Sequence, residues 1–140
     1  IDLSPSMLGR ARSRKSRLGT AVELFEMNVL ELEFPEASFD SIVSTFLFCV
    51  LDNEHQQAAL EQLRRVCRPD GTIHILEYAI SENPWRAFIM KLWAPWVRFA
   101  YGAEFDRNTE QYLDAAGLDL VESRFLYKDI IKLLTVRVKK

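Results

Sequence analysis

The chain has little that would mark a membrane-spanning, disulfide-stapled or polyanion-binding protein. No apolar run approaches the roughly 20 residues that a spanning helix requires, and nothing at the start resembles a signal peptide. Cysteine is scarce: Cys49 and Cys67 stand alone, without C-x-x-C spacing or histidine partners, so neither a disulfide framework nor a zinc site is indicated and both are expected as buried thiols. Charge of one sign is lacking too, since a formal net charge of −2 gives no bulk attraction to nucleic acid. The basic run Arg10, Arg12, Arg14, Lys15 and Arg17 scatters around the polar side of a helix and reads as a solvated surface. Glycine is sparse and isolated at Gly9, Gly19, Gly71, Gly102 and Gly117, so no glycine-rich cradle for a phosphate or cofactor can be built from these residues. An initiator methionine is missing as well; the chain opens Ile1-Asp2-Leu3-Ser4-Pro5 at what reads as a strand end, and an upstream strand is expected. With 49% apolar and 27% charged residues in 140, one core and one cytoplasmic globular domain are the expectation.

What is present alternates strand and helix signals. Ser4 with Pro5 is a helix start, because the hydroxyl can accept from free N–H groups and proline at the first helical position forfeits no bond; Gly19 should stop that helix after Leu18. Ala21 to Met27 alternates as a strand, and Ser38 to Phe48 is a nearly continuous apolar and β-branched run, the pattern of a central strand covered on both faces. Asn53 to Arg68 has helical spacing through Ala59, Leu60, Leu63 and Val66, with Pro69-Asp70-Gly71 as its stop, and Thr72 to Tyr78 is another buried strand. This order predicts an α/β fold with a doubly wound, mostly parallel sheet. From Pro84, the residues Trp85, Phe88, Ile89, Leu92, Trp93, Trp96 and Val97 make a broad apolar helical stripe that Pro95 should kink or end. Its blander reading is simple packing on the sheet. Asn108 or Thr109 can cap a second short helix ending at Gly117. Leu118 to Tyr127 and Ile130 to Val138 then read as a hairpin turning at Lys128-Asp129.

Four stretches in this order resemble the class I S-adenosylmethionine-dependent methyltransferases, especially the ubiquinone/menaquinone-biosynthesis, phospholipid and small-molecule branch. They are Asp2 to Leu8, Phe34 to Asp40, Ser44 to Phe48 and Leu63 to Gly71. The resemblance implies a Rossmann-like fold without its first strand and G-x-G-x-G loop, so that residues 1–140 would be the C-terminal portion of one methyltransferase domain, with a substrate-capping helical insert at about 81–117. It implies that the missing strand belongs between the strand ending at Asp2 and the one running from Ser38.

S-adenosylmethionine is the implied cofactor. Asp2, at the carboxyl end of a strand, can accept hydrogen bonds from both ribose hydroxyls, its role in that family; the competing view is that it helps to cap the following helix. Leu3 and Met7 would wall the adenine, ordinary packing being the equal alternative for either. Asn28, where relatives often place aspartate, would pair with the adenine amino group and the Val29 N–H would meet a ring nitrogen; a plain turn role for Asn28 is the competing view. Ser44, Thr45 and Phe46 would lie beside the methionine portion of the cofactor. For the acceptor, Cys49, Tyr78, Trp85 and Trp93 are the candidate contacts, with Glu77 and Tyr78 well placed at a strand end.

No catalytic group stands out. A sulfonium methyl donor leaves as a neutral thioether, so orientation and dryness matter more than an acid–base pair. If a proton must be removed, His55, His74, Tyr78 and Cys49 are available, and His74 reads as a core residue. No metal ligands are indicated, and no oligomeric state is implied. The expected partner is a small, hydrophobic or lipid-like substrate rather than nucleic acid; Arg86, Lys91 and Arg98 mean that the aromatic stretch could also rest on an anionic membrane surface. The competing classes are an inactive methyltransferase-like interaction module and a nicotinamide-dependent oxidoreductase, the latter disfavoured by the terminal hairpin.

Overall fold

The computed structural model describes residues 1–102, 105 and 108–139. Helix α1 spans Pro5–Leu18; Ser4 Oγ accepts from the Met7 N–H, and Gly19, in the left-handed region at φ 62°, closes it as its sequence predicts. Strand β1 is Phe39–Thr45, helix α2 Asn53–Val66, strand β2 Cys67–Tyr78, helix α3 Pro84–Tyr101, a 3₁₀ turn Thr109–Tyr112, and strands β3 Leu118–Tyr127 and β4 Ile131–Val138.

The four strands form one mixed sheet in the order β1-β2-β4-β3. β1 and β2 run parallel, joined by the α2 crossover, while β4 lies antiparallel to both β2 and β3. The terminal hairpin turns where the sequence places it, with Lys128 at φ 48°. Ile73 and Ile75 of β2, Leu134 and Val136 of β4 and Ala59, Leu60, Leu63 and Val66 of α2 form the core with Phe48 and Leu118. Both cysteines are buried thiols, and burial is the first cause that pushes the Cys67 thiol up. Arg10, Arg12, Arg14, Lys15 and Arg17 are all solvated.

Several elements depart from their sequence expectation. Ala21–Met27 forms no strand; its alternation is spent on one isolated parallel bridge, Asp2 to Glu26, in which Asp2 N–H donates to Phe25 O (3.2 Å) and Met27 N–H to Asp2 O (3.3 Å). A ladder needs a partner of equal length, and this one has none. β1 stops at Thr45, because Phe46 takes the left-handed region at φ 54° and turns the chain out of the sheet. Nor is β1 covered on both faces: it ends the sheet, and Val43 is 67% exposed. An open groove of about 800 Å³, lined by Ile1, Val22, Phe25, Phe34, Phe39 and Val43 among others, separates β1 from the segment carrying the bridge.

Helix α2 ends at Val66, short of Arg68, and β2 starts immediately at Cys67 instead of after the Pro69-Asp70-Gly71 stop. Those three residues lie within β2 and are absorbed where the pairing with β1 changes register, Phe39 opposite Cys67 and Ser41 opposite Thr72. Gly71 makes this possible: an added Cβ would sit 2.7 Å from Cys67 Sγ and 2.9 Å from Asp40 O. Gly71→Ala is therefore expected to cost about 1–3 kcal/mol by overpacking, read as a fall in the urea midpoint.

Pro95 neither ends nor interrupts the assigned span of α3, which continues to Tyr101 and is closed by Gly102 at φ 67°. Proline removes one helical hydrogen bond, and the helix runs on through that loss. The expected second short helix is only the 3₁₀ turn, with no side-chain cap from Asn108, although Gly117 does adopt the left-handed conformation at φ 72°. Residues 103, 104, 106 and 107 of the 81–117 segment lie outside the described residues.

Candidate functional site

The site grows from the turn that follows β1. Phe46 leaves the strand with its N–H still donating to Leu76 O (2.8 Å), and the next residues curl into a turn that leads to α2. Phe48 and Cys49 are fully enclosed, so the backbone N–H and C=O groups of this turn must be satisfied from within the protein. Two buried side chains do this from opposite sides. Glu77, near the end of β2 and only 6% exposed, accepts from the Phe48 N–H through Oε1 (2.9 Å) and from the Cys49 N–H through Oε2 (3.0 Å). Gln56, in the first turn of α2, donates through Nε2 to Phe48 O (2.6 Å) and Leu51 O (3.0 Å), and its Oε1 accepts from the Thr109 hydroxyl (3.2 Å). A strand carboxylate thus holds the turn's donors while a helix amide holds its acceptors.

The Glu77 carboxyl is pushed up to about 7, first by burial, against which the N–H donors of the turn favour the ionised form. The balance leaves a carboxyl near its midpoint at neutral pH. Burial, then the neighbouring Cys49 and Glu77, also push the Tyr78 phenol up, which removes it as a ready base at pH 7. Phe46 stacks on Tyr78 with ring centroids 4.6 Å apart, and Phe105 meets Tyr78 edge-on at 5.4 Å. The two strand ends are thus bridged by an aromatic group. Cys49 Sγ lies 3.1 Å from Phe46 O, a bond that fastens the thiol inside the turn. Ser44, one residue before the end of β1, has a buried hydroxyl with no hydrogen-bond partner. An unpaired buried hydroxyl is costly and marks a position open to a ligand's polar group.

Of the sequence-predicted site residues, Ser44, Thr45, Phe46, Cys49 and Tyr78 come together here. Asp2 and Asn28 lie on the segment beyond the groove. Asp2 Oδ1 accepts from the Ser4 N–H (2.8 Å), so one carboxylate oxygen helps to start α1. Asn28 Oδ1 accepts from the Leu30 N–H (3.0 Å), the turn role weighed from its sequence. The Val29 side chain is core, and Leu3 and Met7 are exposed at the start of α1. Trp85 and Trp93 are on the exposed side of α3, Trp85 stacked on Phe88 (5.9 Å) and Trp93 edge-on to Trp96 (6.0 Å). His74 is half-buried in β2 with Nδ1 3.3 Å from the Thr135 hydroxyl, and His55 sits in the first turn of α2. Sequence reasoning missed Gln56 and Phe105. A glutamine on the apolar stripe of α2 was the available sign of the first. Asp52, Glu54 and His55 bring three ligand atoms together at the α2 start, an acidic surface group that carries no argument for a metal.

For an adenosylated sulfonium cofactor, the residues present offer a fitting donor set: a carboxylate at Asp2 for hydroxyls, an amide at Asn28 for a base edge, and the orphaned Ser44 hydroxyl for a polar group.

Known proteins resemble this chain in sequence and in fold. Over 96 residues the chain is 33% identical to the ubiquinone/menaquinone biosynthesis C-methyltransferase UbiE of Bartonella tribocorum, covering 67% of this chain and 36% of that protein. It is 35% identical over 80 residues to a phosphatidylethanolamine N-methyltransferase of Cereibacter sphaeroides, covering 56% and 38% respectively. The chain thus spans little more than a third of the length of these curated relatives. A crystal structure of a SAM-dependent methyltransferase from Methanosarcina mazei superposes with a TM-score of 0.71 at 16% identity, covering 99% of this chain and 80% of that one, and shows a shared fold. Residues 1–71 match the family model described as a methyltransferase domain, and the chain belongs to the class I S-adenosylmethionine-dependent methyltransferases.

Proposed function

We propose that these residues form part of a catalytic domain that transfers a methyl group from S-adenosylmethionine to a small, hydrophobic or lipid-like acceptor. One observation carries the reading: residues 1–71, which match the methyltransferase domain, contain every residue assigned to the cofactor, from Asp2 to Phe46. Asp2 would take the ribose hydroxyls, Leu3 and Met7 the faces of the adenine, and Asn28 with the Val29 N–H its edge. Ser44, Thr45 and Phe46 would hold the methionine end, where backbone carbonyls can receive an ammonium group. When bound, the cofactor supplies an electrophilic methyl on a sulfonium that departs as a neutral thioether.

The protein's own share is orientation and exclusion of water. Phe46, Tyr78 and Phe105 offer an apolar, aromatic wall at the strand ends, and Cys49 lies in the turn below it. Glu77 acts by positioning, since both its oxygens are occupied by the turn that follows Phe46. Trp85 and Trp93 face solvent and stand apart from this wall. The acceptor class also follows the two relatives named for ubiquinone/menaquinone biosynthesis and for phosphatidylethanolamine.

The test is transfer of labelled methyl from S-adenosylmethionine into an organic-extractable product, with phosphatidylethanolamine and a long-chain quinol as acceptors, using the intact protein. Labelled lipid is the expected result. Binding of S-adenosylhomocysteine by calorimetry without transfer to any acceptor would establish the inactive module instead, and absence of that binding would remove the methyl-donor reading.

A further inference from the structure

Helix α3 is turned inside out. Trp85, Phe88, Ile89, Leu92, Trp93, Trp96 and Phe99 recur at helical spacing along one face, and that face points to solvent: Trp85 is 69%, Leu92 68% and Phe99 90% exposed. The half-buried positions are the opposite ones, Ala87, Met90, Ala94 and Val97, which are mostly small. The bulky stripe therefore does not pack on the sheet. Solvent-facing aromatic patches of this extent mark surfaces that dock onto something.

Charge and geometry narrow the occupant. The 18 residues of α3 contain Arg86, Lys91 and Arg98 and no aspartate or glutamate. Lys91 and Arg98 are exposed and two turns apart, so they share one side of the helix, between the aromatic face and the half-buried one, from which long basic side chains can reach an interface. A second copy of the helix would bring like charges together, whereas an anionic surface would meet them with opposite charge. No helix among the described residues is long and apolar enough to cross a membrane, so α3 suits the plane of the headgroups, where tryptophan rings partition.

The helix is also a fixed platform. Asn83 Oδ1 accepts from the Trp85 and Arg86 N–H groups, and Asp129 at the hairpin tip accepts from the Ser81 hydroxyl (2.6 Å) and the Glu82 N–H (3.0 Å). Arg86 Nη1 is 3.2 Å from the other Asp129 oxygen, close enough for charge attraction although off the line of a hydrogen bond.

We propose that the outward face of α3 is a docking surface for an anionic lipid bilayer, with the helix lying in the headgroup layer and Lys91 and Arg98 facing the lipid phosphates. This stands apart from the identity of the methyl acceptor. The test is flotation of the chain with vesicles of phosphatidylcholine alone and of phosphatidylcholine with phosphatidylglycerol, while tryptophan fluorescence is recorded. The expected result is at least about ten-fold tighter binding to the anionic vesicles, with a blue shift of the emission and weakening as salt is raised. The double variant Lys91→Glu with Arg98→Glu should lose about ten-fold of that preference, and Trp93→Ala with Phe99→Ala should lower binding to both compositions. All four side chains are exposed, so circular dichroism should show both variants folded as the parent. Vesicle binding that both variants retain at parental strength would overturn the proposal, as would a concentration-dependent dimer or capture by an acidic protein in a chain that ignores both vesicles.

Discussion

Replacing Glu77 with glutamine should flatten the pH dependence of stability between about pH 4.5 and pH 7, the interval between its ordinary value and the value of about 7 it reaches in the fold. The sign follows from the raised value. The folded state holds the Glu77 proton more tightly than the unfolded chain, so this group's contribution is fully present below pH 4.5 and is lost as pH rises to 7. A shift of this size corresponds to about 3 kcal/mol, so urea midpoints of the parent chain should fall over that interval while those of Glu77→Gln do not. Glu77→Ala is the harsher change. It leaves the Phe48 and Cys49 N–H groups buried without an acceptor and should cost about 2–4 kcal/mol at pH 5, where the parent carboxyl is mostly neutral.

The second large effect is expected at Gln56. Leucine fits the volume and suits an apolar surrounding, yet it strands Phe48 O, Leu51 O and the Thr109 hydroxyl at a position only 1% exposed. At about 1 kcal/mol or more for each lost bond, Gln56→Leu should destabilise by roughly 3 kcal/mol in thermal or urea unfolding. If Glu77 and Gln56 grip the same turn, the two changes should not add. A double-mutant cycle should show coupling of about 0.5–3 kcal/mol, because once one side of the turn is released the other has less to hold. Strict additivity would mean that the turn is not a shared element.

These two residues also show where sequence reasoning runs out. Local chemistry announces itself: Ser4-Pro5 and Gly19 bracket α1, and the alternation on either side of Lys128-Asp129 gives the β3–β4 hairpin. The α/β order and the parallel β1–β2 pair follow from the run at Ser38 to Phe48 and the crossover helix. Strand formation at Ala21–Met27 is different, since alternation supplies a face but not a partner, and only the Asp2–Glu26 bridge forms. Pro69-Asp70-Gly71 has the composition of a stop, and becomes an irregularity within β2 because Gly71 tolerates the approach of Cys67 and Asp40.

The candidate site was legible in part. Tyr78 can be placed at a strand end from pattern, and Ser44, Thr45 and Phe46 from the family resemblance, since pattern alone carries that strand on to Phe48. Their mutual arrangement is long-range: Glu77 binds N–H groups 28 and 29 positions earlier, and Gln56 binds a hydroxyl 53 positions later. Such pairs leave no periodic trace. The aromatic stripe of α3 was readable as a stripe, while the direction it faces depends on which small residues the body of the protein accepts beneath it.

The most direct test of the account is an amide chemical-shift titration of the isotopically labelled chain with S-adenosylhomocysteine, a method sensitive to weak binding. The adenosyl site described above predicts shifts concentrated at Asp2, Asn28, Val29, Ser44, Thr45 and Phe46, with Glu77 neighbours following. Saturating ligand that leaves those amides unmoved, or moves only residues elsewhere on the sheet, would contradict it.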